Sequence, residues 1–241
     1  MVNHTYSLLK GYSLMFLKGL GGSLYLTFGA LAISFCLALV ITLIRVQNEF
    51  SGRFRFLNCL VGGCVTLIRG TPALLQLLVM AYVVLIRVKH AGTVAIITFG
   101  LNSAAYVSEI LRAGVNGINK GQYEAAITLG LGSDQALRFI IMPQVLKNSI
   151  PALLNEFSGL LKETALAGSL GVLDLTQAAM RLRASTFQAF TPLVVAGALY
   201  LGVTFVVGRL IRQAELMVKR RATRRNQENV ERAMQNMSVN G

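Results

Sequence analysis

Two carboxylates in an apolar stretch, Glu156 and Glu163, are the side chains most able to act on a ligand. A charge within a membrane-length apolar run is costly and is kept for pairing or for function. Their spacing of seven puts both on nearly one face of a helix. At ~1.5 Å per residue from Gln144, Glu156 lies about 18 Å in, near the middle of a bilayer. There it can meet an ammonium group, or it can pair with a lysine or arginine on another helix and only fix packing; both readings stay open. Asn155, beside Glu156, and Thr164, beside Glu163, can add neutral hydrogen bonds along the same path. Lys162 can neutralise Glu163.

Other chemistry is poorly supplied. The only histidines are His4 and His90, and neither has a metal-ligand partner at helical spacing. No Gly-x-Ser-x-Gly elbow occurs, and no Gly-x-x-x-x-Gly-Lys-Ser/Thr loop to cradle a nucleotide. The expectation is therefore no catalytic residue, no metal, and no cofactor on this chain. Cys36, Cys59 and Cys64 lie in or beside apolar stretches and read as small buried hydrophobes. Glu109 and Arg112, three apart, read as a structural pair. Arg69 within an apolar region is either a pathway residue or an arginine snorkelling to the interface.

The elements that must position these residues are membrane spans. Of 241 residues, 54% are hydrophobic and 14% charged, and the mean hydropathy is +0.59; soluble domains carry about 25% charged residues. Apolar length places about five transmembrane helices, near 19–44, 72–86 with a lead-in from Leu57, 92–111, 144–166 and 192–207. Arg69-Gly70-Thr71-Pro72 interrupts the second, so that Pro72 begins the true span after a helix ending near Arg69. Residues 1–18 form an N-terminal outer segment, 19–211 the membrane domain, and 212–241 a basic cytoplasmic tail. The stretch from Ala167 to Thr191 reads as a loop, with Thr191 capping a last span that starts at Pro192. With the N-terminus outside, fifteen Lys and Arg fall in inner segments and seven in outer ones, favouring N-out/C-in. The net charge of +13 is accounted for by this anchoring in the lipid bilayer, with no nucleic acid as partner. No inverted repeat stands out, which weakens a self-contained secondary transporter.

Between the third and fourth spans, residues 121–143 are too apolar for a solvated loop. Ala125, Ala126, Ile127 and Leu129 suit one side of a short helix, Gly130 and Gly132 permit a tight turn, and Asp134 to Phe139 can resume the helix. With small residues outward, this offers a flat surface to a partner; an interfacial helix resting on lipid is the alternative. Glu124 near a helix start can cap free amides or pair with a partner's basic residue.

Glu124-Ala125-Ala126, Gly130 and Ile140-x-x-Pro143 resemble the EAA loop of ABC importer permeases, with Met142 where that family usually has leucine. Arg69-Gly70-Thr71-Pro72, Leu101 to Glu109, Lys120-Gly121-Gln122 and Leu161 to Leu166 resemble the polar amino-acid branch, the histidine and glutamine permease type. The likeness covers roughly Leu20 to Ile211; the short turn from Arg87 to Gly92 and the long basic tail depart from it.

The resemblance implies an all-α integral membrane fold of the type I ABC importer kind in the bacterial cytoplasmic (inner) membrane. It implies a second permease subunit, identical or related, and cytoplasmic ABC ATPase subunits that carry ATP and Mg. An extracytoplasmic amino-acid-binding protein would deliver substrate. Glu124, Ala125, Ala126, Gly130 and Pro143 would form the ATPase-coupling segment, and Asn155, Glu156, Glu163 and Thr164 the substrate pathway. The competing expectation is a non-transporting assembly or regulatory membrane protein whose loop binds another partner.

Overall fold

The computed structural model describes residues 2–210, except 53, together with 212, 213 and 216. The basic tail beyond 216 lies outside the described residues. Among them the regular structure is helical, without strands.

Helix α1 (Val2–Ser51) runs unbroken through the expected outer segment and the first span. Its fifty residues reach about 75 Å, more than twice a bilayer core; the stretch Tyr12–Asn48 is apolar enough to cross. Ser23, Thr27, Ser34 and Thr42 are all fully buried on α1. Small hydroxylated residues let two helices approach closely, and this face lies mainly against α4 (Ala91–Asn116), the most enclosed helix.

Helix α2 (Arg55–Arg69) and α3 (Ala73–Val79), which widens into a π turn over Met80–Val84, meet at an angle of 108°. Pro72 is the cause: it sits at the cap of α3 with extended backbone, φ −63° and ψ 133°, and has no N–H to continue α2. The break frees carbonyls, and the Gln76 amide donates to those of Ile68 at 2.7 Å and Thr71 at 3.1 Å. Broken backbone at membrane depth persists only where such groups are satisfied.

After α4 come the short α5 (Lys120–Thr128) and α6 (Ser133–Gln135), then a π segment (Ala136–Ile141) leading into α7 (Met142–Glu163). Pro143 explains the wide turn, because its ring would collide with the Phe139 carbonyl in ordinary α geometry. A 3-10 stretch, Thr164–Leu170, ends α7's course.

The expected loop from Ala167 to Thr191 instead contains α8 (Leu175–Thr186). Asp174 starts it: one carboxylate oxygen accepts from the Gln177 amide at 2.8 Å, the other from Thr176 at 3.2 Å. Burial pushes this carboxyl's pKa up, and those hydrogen bonds hold it back. Ser23 accepts from the Leu175 amide at 3.1 Å. A Cβ on Gly22 would collide with the Leu173 carbonyl, so glycine is what lets the α8 turn seat against α1. The last helix, α9 (Phe190–Leu210), begins before Thr191, so Thr191 and Pro192 belong to its first turn and Thr191 is not its cap.

Three described helices, in α1, α4 and α9, are long and apolar enough to cross a membrane, or four if the bent α2/α3 pair counts as one span. Helix α7, the remaining expected span, is not among them, because Lys147, Glu156, Lys162 and Glu163 with two asparagines lower its hydropathy. Cys36, Cys59 and Cys64 are unpaired and exposed, which corrects their reading as buried hydrophobes: they lie on outward helix faces.

Candidate functional site

The turn between α5 and α6 is built to hold one shape. Asn119 caps α5, its side chain accepting from the Gly121 amide at 2.8 Å. Glu124, five residues into the helix, is therefore not the cap. At the other end Leu131 N–H donates to the Ala126 carbonyl at 3.1 Å and Gly130 N–H to the Ile127 carbonyl at 2.9 Å. This is a Schellman ending, which requires a left-handed residue after the helix; Gly130 supplies it with φ +87°.

The exposed side of the turn carries Glu124, Ala125, Ile127, Gly130 and Leu129, the last 83% exposed. Ala126 points the other way and is 4% exposed. The two alanines thus divide: Ala125 is offered outward, and Ala126 lets α5 lie close against the π segment. Tyr123 donates to Ser133 at 2.9 Å, and Gln144 donates to Gln122, tying both arms of the turn together. Beneath them Leu137, Ile141 and Val145 share one core with Ala38 and Val46 of α1 and Val107, Leu111 and Val115 of α4. Pro143 is exposed at the start of α7, where it shapes the π turn.

Farther along α7, Glu156 accepts a hydrogen bond from Ser103 of α4 at 2.8 Å, and Ser34 of α1 donates to Ser103 at 3.1 Å. The neighbour of Ser103, Asn102, donates to Gln76 at 2.9 Å, the residue that satisfies the α2/α3 break. Two polar links from adjacent residues of α4 thus cross the apolar bundle, Ser103 to α1 and α7 and Asn102 to α3. No lysine or arginine among the described residues forms an ion pair with Glu156 or Glu163. The packing alternative for Glu156 therefore has no partner within the described chain. Lys162 is exposed and makes no ion pair with Glu163. Asn155 is exposed on the single chain, whereas Thr164 is buried and donates to its own helix at Leu161, 2.7 Å away.

Glu109, toward the end of α4, is treated in the opposite way. Glu109 pairs with Arg45 of α1, with Arg112 one turn along at 3.4 Å, and with Arg69 of α2 at 3.9 Å. Arg69 also lies over the Tyr106 ring, 5.2 Å from its centre. Only the Glu109–Arg112 contact is local in sequence; Arg45 and Arg69 arrive through the packing of α1 and α2. Arg69 therefore has both an ionic and an aromatic neighbour while keeping much of its side chain exposed. The sequence signals Gln76, Asn102 and Ser103 only as neutral polar side chains in apolar helices; their hydrogen bonds to one another's helices and to Glu156 arise from packing.

Residues 46–216 match the family described as binding-protein-dependent transport system inner membrane component. The chain is similar to the arginine transport system permease protein ArtQ of Bacillus subtilis, 31% identical over 207 residues that cover 84% of this chain and 92% of that one. A stretch of 138 residues is 41% identical to the protein GlnP of Rickettsia felis and spans 63% of that relative's length and 56% of this chain. Among solved structures it is similar to that of an amino acid ABC transporter with histidines, with a TM-score of 0.79 and 34% identity over 89% of this chain and 97% of that chain. Family match, relatives and fold agree: the chain belongs to the inner membrane component family of binding-protein-dependent transport systems.

Proposed function

We propose that this chain is the permease subunit of an ATP-driven importer of a polar amino acid, driven through the α5/α6 turn by a separate ATPase. The observation that carries the reading is the two-sided construction of that turn. Its outer side, Glu124, Ala125 and Gly130, is exposed and preformed, while its inner side belongs to the core shared by α1, α4 and α7. Interiors are close-packed and transmit displacement. A push on the turn is delivered to the inner ends of three helices at once.

With the turn facing the cytoplasm, five spans including α7 place the N-terminus outside and the C-terminus inside. ATP and Mg are held by the ATPase, a second permease subunit completes the pore, and an extracytoplasmic binding protein delivers the amino acid. This chain contributes Glu156, with Glu163 on the same helix and Asn155 beside it, as acceptors for a substrate's ammonium group. Pro151, between the turn and Glu156, interrupts the α7 ladder and lets the two halves of the helix move relative to each other. The likeness to an arginine permease and to an amino acid ABC transporter supports this substrate class.

Gly130→Arg tests the docking assignment. The variant is expected to insert normally and to lose ATPase co-purification or uptake, while Gly130→Asn, which tolerates the left-handed backbone, retains both. Normal co-purification and uptake in Gly130→Arg would overturn the assignment.

A further inference from the structure

The arginines around Glu109 exceed what one carboxylate can satisfy. Arg45 takes one carboxylate oxygen, and Arg69 and Arg112 share the other. Each guanidinium presents five N–H donors, so most of them find no acceptor on Glu109, and the cluster keeps two positive charges in excess. Arg112 Nε, a donor buried beside it, has no partner among the described residues; Asn48 Oδ1, also buried and unpartnered, is an acceptor and calls for a hydroxyl or ammonium donor, not for a phosphate oxygen. A cleft opens here between the ends of α1, α2 and α4, lined by Arg45, Asn48, Asn58 and Arg112.

We propose that this cleft binds the phosphate of an anionic phospholipid headgroup. Guanidinium forks match phosphate oxygens in pairs, and the two asparagine amides supply neutral donors at the rim. The surroundings select a lipid over a free anion. At the start of α2, close in sequence to Asn58, Phe54 and Leu57 are exposed, Phe54 by 52%, and offer apolar surface for acyl chains near the cleft. The proposal rests on the reading that this end of the bundle lies at the cytoplasmic leaflet, where anionic lipids are found.

The test uses the full chain purified with its ATPase in detergent, with the unfolding midpoint followed on titration of dihexanoyl phosphatidylglycerol, dihexanoyl phosphatidylcholine or inorganic phosphate. Phosphatidylglycerol is expected to raise the midpoint at concentrations at least tenfold below those at which either of the others acts. Asn58→Asp, which adds a negative charge at the rim without touching Glu109, and Arg112→Gln are each expected to weaken that response at least tenfold. An equal response to phosphatidylcholine, an equal response to inorganic phosphate, or an unchanged titration in both variants overturns the proposal. Detergent has no sides, so an error in the assigned orientation leaves these titrations intact and is detected separately by side-specific labelling of Glu124→Cys in a background lacking the native cysteines.

Discussion

Glu109 and Glu156 are both carboxylates in apolar helices packed against α1, yet the chain surrounds them differently. Three arginines from three helices meet Glu109, while Glu156 receives one serine hydroxyl. A charge removed from water needs an opposite charge or a full set of hydrogen bonds. Glu109 has more than enough and ties α1, α2 and α4 together; Glu156 has less than enough and remains able to take a cationic partner. The difference separates a carboxylate that holds the bundle from one that, under the proposed function, is left free to meet a substrate's ammonium group.

Substitution at the two positions should therefore fail in different assays. Glu109→Gln leaves three guanidinium groups without a counter-charge and is expected to destabilise the chain by about 3 kcal/mol, read as a lowered unfolding midpoint in detergent. Arg69→Gln, removing the most distant and most exposed of the three cations, should cost less than about 1 kcal/mol. A midpoint for Glu109→Gln equal to that of the native chain would erase the distinction. Glu156→Gln keeps the hydrogen bond from Ser103 and is expected to shift stability little while lowering uptake about tenfold, or about 1.4 kcal/mol.

The α5/α6 turn gives a smaller effect that sharpens the same contrast. Gly130 has open space around it, so Gly130→Ala fails only through its backbone, by about 1 kcal/mol, whereas Gly130→Asn should cost less. The smallest effect is at Asp174. Its folded pKa lies above the unfolded one, so the contribution of its titration to stability is greatest below the unfolded pKa and declines as pH rises through the folded value. Asp174→Asn keeps a capping side chain and should flatten the pH dependence of the unfolding midpoint in that acidic window. An identical profile would remove burial as the cause.

What could be read without the structure followed the range of each signal. The break at Arg69 to Pro72, the bend at Gly130 and the stray charge of Glu156 depend on neighbouring residues, and all three were visible. The division between Ala125 and Ala126 was not, because composition marks both as small and only the packing of α5 on the π segment turns one inward. Helix α8 lies in a connection too short of apolar run to signal a span, and its mark in the sequence is Asp174 followed by helix formers, a capping signal. The three-arginine cluster was out of reach beyond its local pair, since Arg45 and Arg69 are brought to Glu109 by folding. The cysteines were misplaced because in a membrane apolar residues face outward as readily as inward.

The most direct measurement is the initial rate of amino-acid uptake by proteoliposomes holding the complete complex, native or Glu156→Gln, at matched ATPase content. The account predicts a rate about tenfold lower in the variant, with assembly and unfolding midpoint unchanged. A native rate and half-saturation in Glu156→Gln would contradict it, and would make Glu156, like Glu109, a residue of the scaffold.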